Sequence, residues 1–161
     1  MPHAAYVLFV DDDFVYPSDY VARTVRALVK HKPGVAVTYH GGYWLPKRHA
    51  FTDRKLLPYF ARVDADVAVT YLGAGLSAFH AADLARVDRQ IPASFEYDDD
   101  IWMSAACARA RVRLIRPATS ASWIRPTPAA SHGLFNHASA ATRRSRAMTA
   151  ALKLGGWRLS P

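Results

Sequence analysis

Short apolar runs alternate along the chain with segments in which apolar residues recur at helical spacing. Four runs have the length and content of buried strands, and they predict strands over residues 6–10, 35–39, 67–72 and 112–115. Helical spacing and cap signals predict four helices, near residues 18–32, 81–87, 98–109 and 138–154. Because strands and helices alternate, the pattern predicts an α/β fold.

Finer expectations concern the first strand, the first helix and one irregular segment. The continuous apolar run from Tyr6 to Val10 is typical of a strand buried in a parallel sheet. Ser18 is the expected N-cap of the first helix. Mixed signals from Tyr43 to Arg62 predict a long functional loop with a short helix, and His40-Gly41-Gly42 is typical of a turn.

Composition limits the class of protein. A chain of 161 residues with 51% hydrophobic and 21% charged residues suits one compact domain and argues against disorder. The single cysteine, Cys107, can form no internal disulfide, which fits a reducing compartment. We see neither a signal peptide nor an apolar run long enough to span a bilayer, so we expect a cytoplasmic protein.

The net charge of +8 is concentrated near the C-terminal end, at Arg143, Arg144, Arg146, Lys153 and Arg158. Such a basic tail favours peripheral contact with an anionic membrane surface, or with a phosphate-bearing substrate. A solvated helix face is the alternative interpretation. The basic residues are not interleaved with stacking aromatics, which argues against nucleic-acid binding.

The strongest chemical signal is the acidic triplet Asp11-Asp12-Asp13 at the end of the first strand. Ligands of α/β sheets bind beyond the carboxyl ends of strands. Adjacent carboxylates repel one another unless they are solvated or share a cation, and hard cations such as Mg²⁺ or Mn²⁺ prefer oxygen ligands. The triplet therefore favours a metal site, with a solvated acidic turn as the alternative.

A second triplet, Asp98-Asp99-Asp100, follows Glu96 and opens the third predicted helix. Acidic residues are stabilised at helix N-termini by the macrodipole and by unpaired N–H groups. Three acids exceed what capping requires, so a functional role is equally favoured. One of these carboxylates is a candidate general base for an attacking hydroxyl.

Weaker signals come from glycines and histidines. Gly73-Ala74-Gly75 follows a strand and permits close backbone approach to a ligand, but it lacks the third glycine of a dinucleotide fingerprint. His40 and His132 are more often structural in such settings, with catalysis or metal ligation as the alternative.

These motifs occur in an order that resembles a known family. An apolar strand leads to Asp11-x-Asp13, a later strand ends in His40-Gly41, and Leu-Gly-Ala-Gly-Leu-Ser-Ala-Phe precedes Asp99-Asp100-Ile-Trp at a helix start. Over residues 5–125 this order resembles the inverting GT-A-fold glycosyltransferases related to family 2. The resemblance implies a Rossmann-related, three-layer domain with a mostly parallel or mixed sheet. It divides the chain into a catalytic, acceptor-side portion at 1–130 and a basic helical tail at 131–161.

The resemblance also implies roles for individual residues. Asp13 binds Mn²⁺ or Mg²⁺, Asp11 faces the ribose or a metal-bound water, and His132 is a candidate late metal ligand. Asp100 is the general base, with Asp99 as its substitute. Donor and acceptor binding is assigned to Asp12, His40, Gly41, Gly73, Ala74, Gly75 and Trp102. For Trp102, stacking on a sugar ring stands beside ordinary core packing.

The implied reaction moves a sugar from a nucleotide-diphosphate sugar to a hydroxyl of a glycan, lipid or small molecule, with inversion. Complete GT-A domains carry an earlier βαβ region for the nucleotide, so the resemblance implies an incomplete enzyme whose nucleotide-binding half is missing or supplied elsewhere.

Two other classes stay open. Strand-Asp11-x-Asp13 also matches the nucleophile motif of haloacid-dehalogenase-type phosphatases, although convincing Ser/Thr and Lys motifs are missing between the triplets. The second alternative is an inactive remnant or binding module that keeps the acceptor pocket.

Overall fold

The computed structural model describes residues 5–45, 50–128 and 140–158. In chain order the strands are β1 (Tyr6–Leu8), β2 (Phe14–Val15), β3 (Val35–Thr38), β4 (Gly41–Trp44), β5 (Arg54–Leu57), β6 (Val67–Val69), β7 (Tyr71–Leu72), β8 (Ser77–His80), β9 (Arg113–Arg116) and β10 (Arg125–Pro126). The helices are α1 (Tyr20–His31), α2 (Ala81–Leu84), α3 (Asp99–Arg109) and α4 (Ala140–Lys153). A 3-10 turn, Ala74–Leu76, joins β7 to β8.

The central sheet has five strands in the order β1-β8-β3-β9-β6. Only β3 and β9 run parallel, and the other three pairs are antiparallel. The predicted α/β class with a mixed sheet is confirmed, whereas a mostly parallel sheet is wrong. The prediction for the first strand is also wrong, because β1 is a half-buried edge strand antiparallel to β8. The apolar piece that forms β8 is short, but it supplies the strand between β1 and β3.

Helices cover both faces of this sheet. Successive side chains of a strand point to opposite faces. In β3, Val37 packs with Leu28 of α1, whereas Ala36 belongs to the cluster that contains Cys107 of α3. All four residues are fully buried. The result is three layers, with α1 on one side of the sheet and α3 on the other.

The segment predicted as a loop from Tyr43 to Arg62 contains strands instead. β4 and β5 join β7 in a second sheet of three strands, ordered β5-β4-β7. The two glycines at the start of β4 are a sign of close strand approach and not of a turn. A Cβ on Gly41 would lie 2.7 Å from the Tyr71 carbonyl oxygen, and a Cβ on Gly42 would overlap the Lys55 carbonyl. The predicted strand over residues 67–72 divides at Thr70 between the two sheets.

Helix boundaries differ slightly from the predictions. α1 begins at Tyr20 with Asp19 at its N-cap, one residue later than expected for Ser18. α4 packs against α3, and Met148 of α4 joins a cluster with Trp157, whose Nε1 donates to the Thr70 carbonyl at 2.8 Å. The predicted boundary at residue 130 lies outside the described residues. In the part of the chain that is described, no helix is long and apolar enough to cross a membrane.

Candidate functional site

The two acidic triplets, far apart in sequence, meet at one end of the central sheet. Asp11 and Asp13 line a cavity of about 290 Å³ together with Asp99 and Asp100. A neighbouring cavity of about 520 Å³ contacts three of these carboxylates and also His40. The fold therefore brings together four of the carboxylates that were predicted to bind a metal or transfer a proton.

The backbone around Asp11 is held by the hydroxyl of Tyr16. This hydroxyl accepts from the Asp11 N–H at 2.9 Å and lies 3.1 Å from the Asp11 carbonyl and 3.3 Å from the Gly75 carbonyl, to which it can donate. The carboxyl group packs directly over Gly75, where a Cβ would overlap it. A side chain at position 75 would therefore displace the Asp11 carboxyl group.

Asp13 lies at the start of a small ribbon formed by β2 and β10. The Thr127 N–H donates to the Asp13 carbonyl at 2.7 Å and fixes the backbone. In contrast, Oδ1 of the Asp13 side chain is buried and has no hydrogen-bond partner in the described part of the chain. A buried carboxylate oxygen without a donor is costly, and a cation bound beside it would remove that cost.

Asp100 is held by donors on both oxygens. The Ala74 N–H donates to Oδ1 at 2.6 Å, and the Tyr71 hydroxyl donates to Oδ2 at 2.8 Å. The Ser104 hydroxyl links the first turn of α3 to β7, because it donates to the Asp100 carbonyl at 2.6 Å and accepts from the Leu72 N–H at 3.0 Å. The carboxyl group therefore has one position, set by both the helix and the 3-10 turn.

The acids in this pocket perturb one another. Burial, followed by the charge of Asp99, raises the pKa of Asp100 from 3.8 to about 6, although its two hydrogen bonds oppose the shift. Burial of the Asp11 carboxyl also raises the pKa of that group, with further contributions from Asp13, Asp99 and Asp12. Excess negative charge is therefore concentrated where a cation would relieve it.

Asp98, the N-cap residue of α3, has a different role from its neighbours. It is buried, with the Arg143 Nε at 3.0 Å and the Arg144 Nε at 3.7 Å from its carboxylate oxygens, and its side chain makes no cap hydrogen bond. Arg144 also lines the cavity of about 290 Å³ that contains Asp11, Asp13 and Asp100, which we call the acidic pocket. The sequence did not single out this arginine as a site residue, because only tertiary packing brings α4 to the acids.

Most of the glycine and histidine candidates lie at the larger cavity. His40, Gly73, Ala74 and Gly75 all line it, and the Gly73 N–H donates to the His40 carbonyl at 2.6 Å. Burial, and then the positive charge of Arg54, lower the pKa of His40 from 6.5 to about 4. The imidazole is therefore neutral at neutral pH.

Three predicted site residues are placed elsewhere. The Asp12 side chain is exposed and does not line either cavity. Gly41 pairs β4 with β7 and has a structural reason to be glycine. Trp102 is 5% exposed and donates to the Asp88 carbonyl at 3.1 Å, so core packing is correct and sugar stacking is wrong. His132 lies outside the described residues.

The arrangement suits a cation shared with a substrate better than a site made by protein alone. Within the described ranges, no three His, Cys, Asp or Glu side chains form a group that could hold a metal ion. Mg²⁺ and similar ions are commonly bound by one or two carboxylates, with substrate phosphates completing the shell. Asp11 and Asp13, with the unpartnered oxygen of Asp13, fit that second arrangement.

Compared with known protein families and with curated sequences, the chain matches no family model and no curated protein. Any functional assignment therefore rests on the geometry of the acidic pocket and on the order of the sequence motifs.

Proposed function

We propose that this chain is the catalytic, acceptor-side portion of an inverting, metal-dependent glycosyltransferase with a GT-A-like fold. The carrying observation is the convergence of the two acidic triplets with the Gly73–Gly75 segment on one pocket. One side of this pocket has the two carboxylates suited to a cation, and the other has a carboxylate suited to proton transfer. An inverting, metal-dependent transfer of a sugar to a hydroxyl uses both.

Asp100 acts as the general base. A base works best when its pKa lies near the working pH, and the pKa of about 6 keeps Asp100 ionised at neutral pH while strengthening its basicity. The acceptor hydroxyl gives its proton to a carboxylate oxygen of Asp100 as its own oxygen bonds to the anomeric carbon. The bond from that carbon to the diphosphate breaks with its electron pair leaving on the diphosphate, and the configuration inverts.

Asp11 and Asp13 would hold Mn²⁺ or Mg²⁺, which supplies Lewis-acid stabilisation to the leaving diphosphate. Arg144 places a positive charge on the wall of the same cavity, beside where phosphate oxygens would lie. The Tyr16 hydroxyl orients Asp11, and Gly75 leaves space for its carboxyl group.

The nucleotide itself requires further protein surface. In the described part of the chain, β1 has a partner strand on one side alone, since it forms the edge of the central sheet. We place the nucleotide-binding region beside this edge, either on a longer form of this chain or on a second chain. The enzyme would work in the cytoplasm, with the exposed Arg146 and Lys153 of the basic tail in contact with a membrane surface when the acceptor is a lipid.

The test is calorimetric binding of UDP-, GDP- and dTDP-sugars with Mn²⁺, on this chain and on a chain extended upstream, followed by transfer assays. Asp13→Ala should abolish Mn²⁺-dependent donor binding, whereas Asp100→Asn should abolish transfer and preserve donor binding. Normal transfer by Asp100→Asn would refute the assignment of the base. Phosphate trapped covalently on Asp11 would replace the proposal with a phosphatase, and donor binding without transfer to any acceptor would indicate a binding module.

A further inference from the structure

A third cavity lies at the other end of α3 from the two cavities that contain the acids. Its volume is about 950 Å³, and an 11-residue helix places it roughly 16 Å from the acids. Among the described residues that line it, none is Asp or Glu, and four are arginines. We call this cavity the arginine cleft, after Arg109, Arg111, Arg113 and Arg158.

Arg109 has a guanidinium nitrogen without a hydrogen-bond partner in the described part of the chain. Its guanidinium lies over the Trp102 ring, 4.7 Å from the centroid, and this nitrogen, Nη1, is buried. The chain after α4 closes over it, because a Cβ on Gly156 would lie 3.1 Å from the Arg109 Cγ. A buried cationic donor without an acceptor is costly, so Arg109 adds uncompensated positive charge to the wall of the cleft. The groups that an anion in the cleft can contact are the exposed side chains of Arg111, Arg113 and Arg158.

Arg111 adds an independent observation from the backbone. It follows the C-cap of α3 with φ of 57°, in the left-handed region that helix C-termini usually fill with glycine or asparagine. The favourable position of basic residues at a helix C-terminus explains the charge of Arg109 and Arg111. It does not explain the unpaired Nη1 of Arg109, nor the presence in the cleft of Arg113 and Arg158, which lie beyond the end of the helix.

The residues that line the cleft favour an anionic ligand. None of the four arginines forms an ion pair with a carboxylate within the described ranges. Guanidinium groups match phosphate oxygens with paired N–H donors, and several of them favour a dianionic phosphate over a single carboxylate. Apolar residues, including Val69, Leu114 and Trp157, form the remaining wall.

We propose that the arginine cleft binds the phosphate group of a ligand that also carries an apolar or planar part. This site is separate from the acidic pocket and does not depend on the proposed sugar transfer. A soluble phosphate ester and the headgroup of an acidic lipid share the chemistry, so both are tested as sources.

The experiment measures binding of two probes in the presence of a chelator, so that no metal can hold phosphate at the acidic pocket. Inorganic phosphate is titrated while amide shifts are followed by NMR, and sedimentation is measured with phosphatidylcholine vesicles that contain or lack phosphatidic acid. Arg113→Gln removes an exposed guanidinium from the cleft, and Arg109→Gln removes the half-buried one. Arg26→Gln, on the exposed face of α1, is the control for loss of one charge.

We expect binding of at least one probe, with phosphate-induced shifts at residues around the cleft. Each cleft variant should weaken binding about tenfold, the effect of one charge-assisted hydrogen bond, whereas Arg26→Gln should leave it unchanged. Phosphate binding without vesicle binding identifies a soluble ligand, and vesicle binding alone identifies a lipid headgroup. Absence of binding by both probes, or equal weakening by Arg26→Gln and Arg113→Gln, would overturn the proposal. Arg113→Gln keeps the test valid should Arg109→Gln unfold.

Discussion

Replacement of Asp100 by asparagine should stabilise the protein at neutral pH. The folded state raises the pKa of Asp100 from 3.8 to about 6, mainly through burial. An acid with a raised pKa holds its proton more tightly in the folded state. Its contribution to stability is therefore fully present below pH 3.8 and is lost as the pH rises through about 6.

The expected size follows from that pKa difference. A pKa difference of about 2 corresponds to roughly 3 kcal/mol, because each pKa unit is equivalent to about 1.4 kcal/mol. Asparagine has the same shape and stays neutral, so it avoids this loss. Its carbonyl oxygen can still accept from the Ala74 N–H, and its amide can donate to the Tyr71 hydroxyl.

Urea unfolding of both proteins should be measured from pH 4 to pH 8 with a chelator present. The free energy of unfolding of Asp100→Asn should exceed that of the natural chain by a margin that grows to about 3 kcal/mol above pH 6. Asp12→Asn, which removes an exposed charge from the other triplet, controls for net charge. A margin that does not grow with pH, or an equal growth in Asp12→Asn, would refute the reasoning that burial perturbs Asp100.

Three further predictions concern the same end of the molecule. Gly75→Ala should weaken Mn²⁺ binding measured by calorimetry at least tenfold, because its Cβ overlaps the Asp11 carboxyl; an unchanged affinity would contradict this geometry. Tyr16→Phe should also weaken Mn²⁺ binding, because it removes the hydroxyl that accepts from the Asp11 N–H. Tyr20→Phe removes a buried hydroxyl that has no partner in the described residues, and it should be neutral or slightly stabilising in thermal unfolding. Asp98→Ala should cost about 1.5–3 kcal/mol in urea unfolding, because it removes a buried carboxylate that accepts a charge-assisted hydrogen bond from the half-buried Arg143, and a loss below about 1 kcal/mol would show that α4 does not depend on this ion pair.

The parts of the fold that could be predicted are those whose signal is local. Helical spacing and acidic first-turn residues located α3, and the apolar run at residues 35–39 located β3. The sheet order could not be predicted in this way, because the apolar run of β1 has the pattern of a strand buried inside a sheet although β1 lies at the edge. β4 was missed since its glycines serve a contact with strands distant in sequence.

In the candidate site, too, local features could be predicted and contacts between distant elements could not. Each acidic triplet was evident as an excess of charge at the end of one element, and the family resemblance implied one active site for both. Arg144 was missed because its position depends on how α4 packs against α3. The role of Asp98 differed from that of Asp100 for a similar reason: in a helix first turn, nearby residues face different neighbours, and Asp98 faces Arg143 whereas Asp100 faces Tyr71 and Ala74.

Among the described residues, the buried polar atoms of the acidic pocket without a hydrogen-bond partner are carboxylate oxygens, and this distinguishes the pocket from the other places where buried polar groups lack a partner. Buried unpaired groups elsewhere include donors, such as the Trp44 indole N–H, which one acceptor or one water could satisfy. Around Asp11, Asp13 and Asp100, an oxygen of Asp13 lacks a donor, and the pKa values of Asp11 and Asp100 are raised first by burial and then by the charge of neighbouring carboxylates. A proton can neutralise one of these carboxyl groups, but only near pH 6 or below. At neutral pH a divalent cation and the guanidinium of Arg144 are what reduces this repulsion, so ligand binding and local stability should rise together.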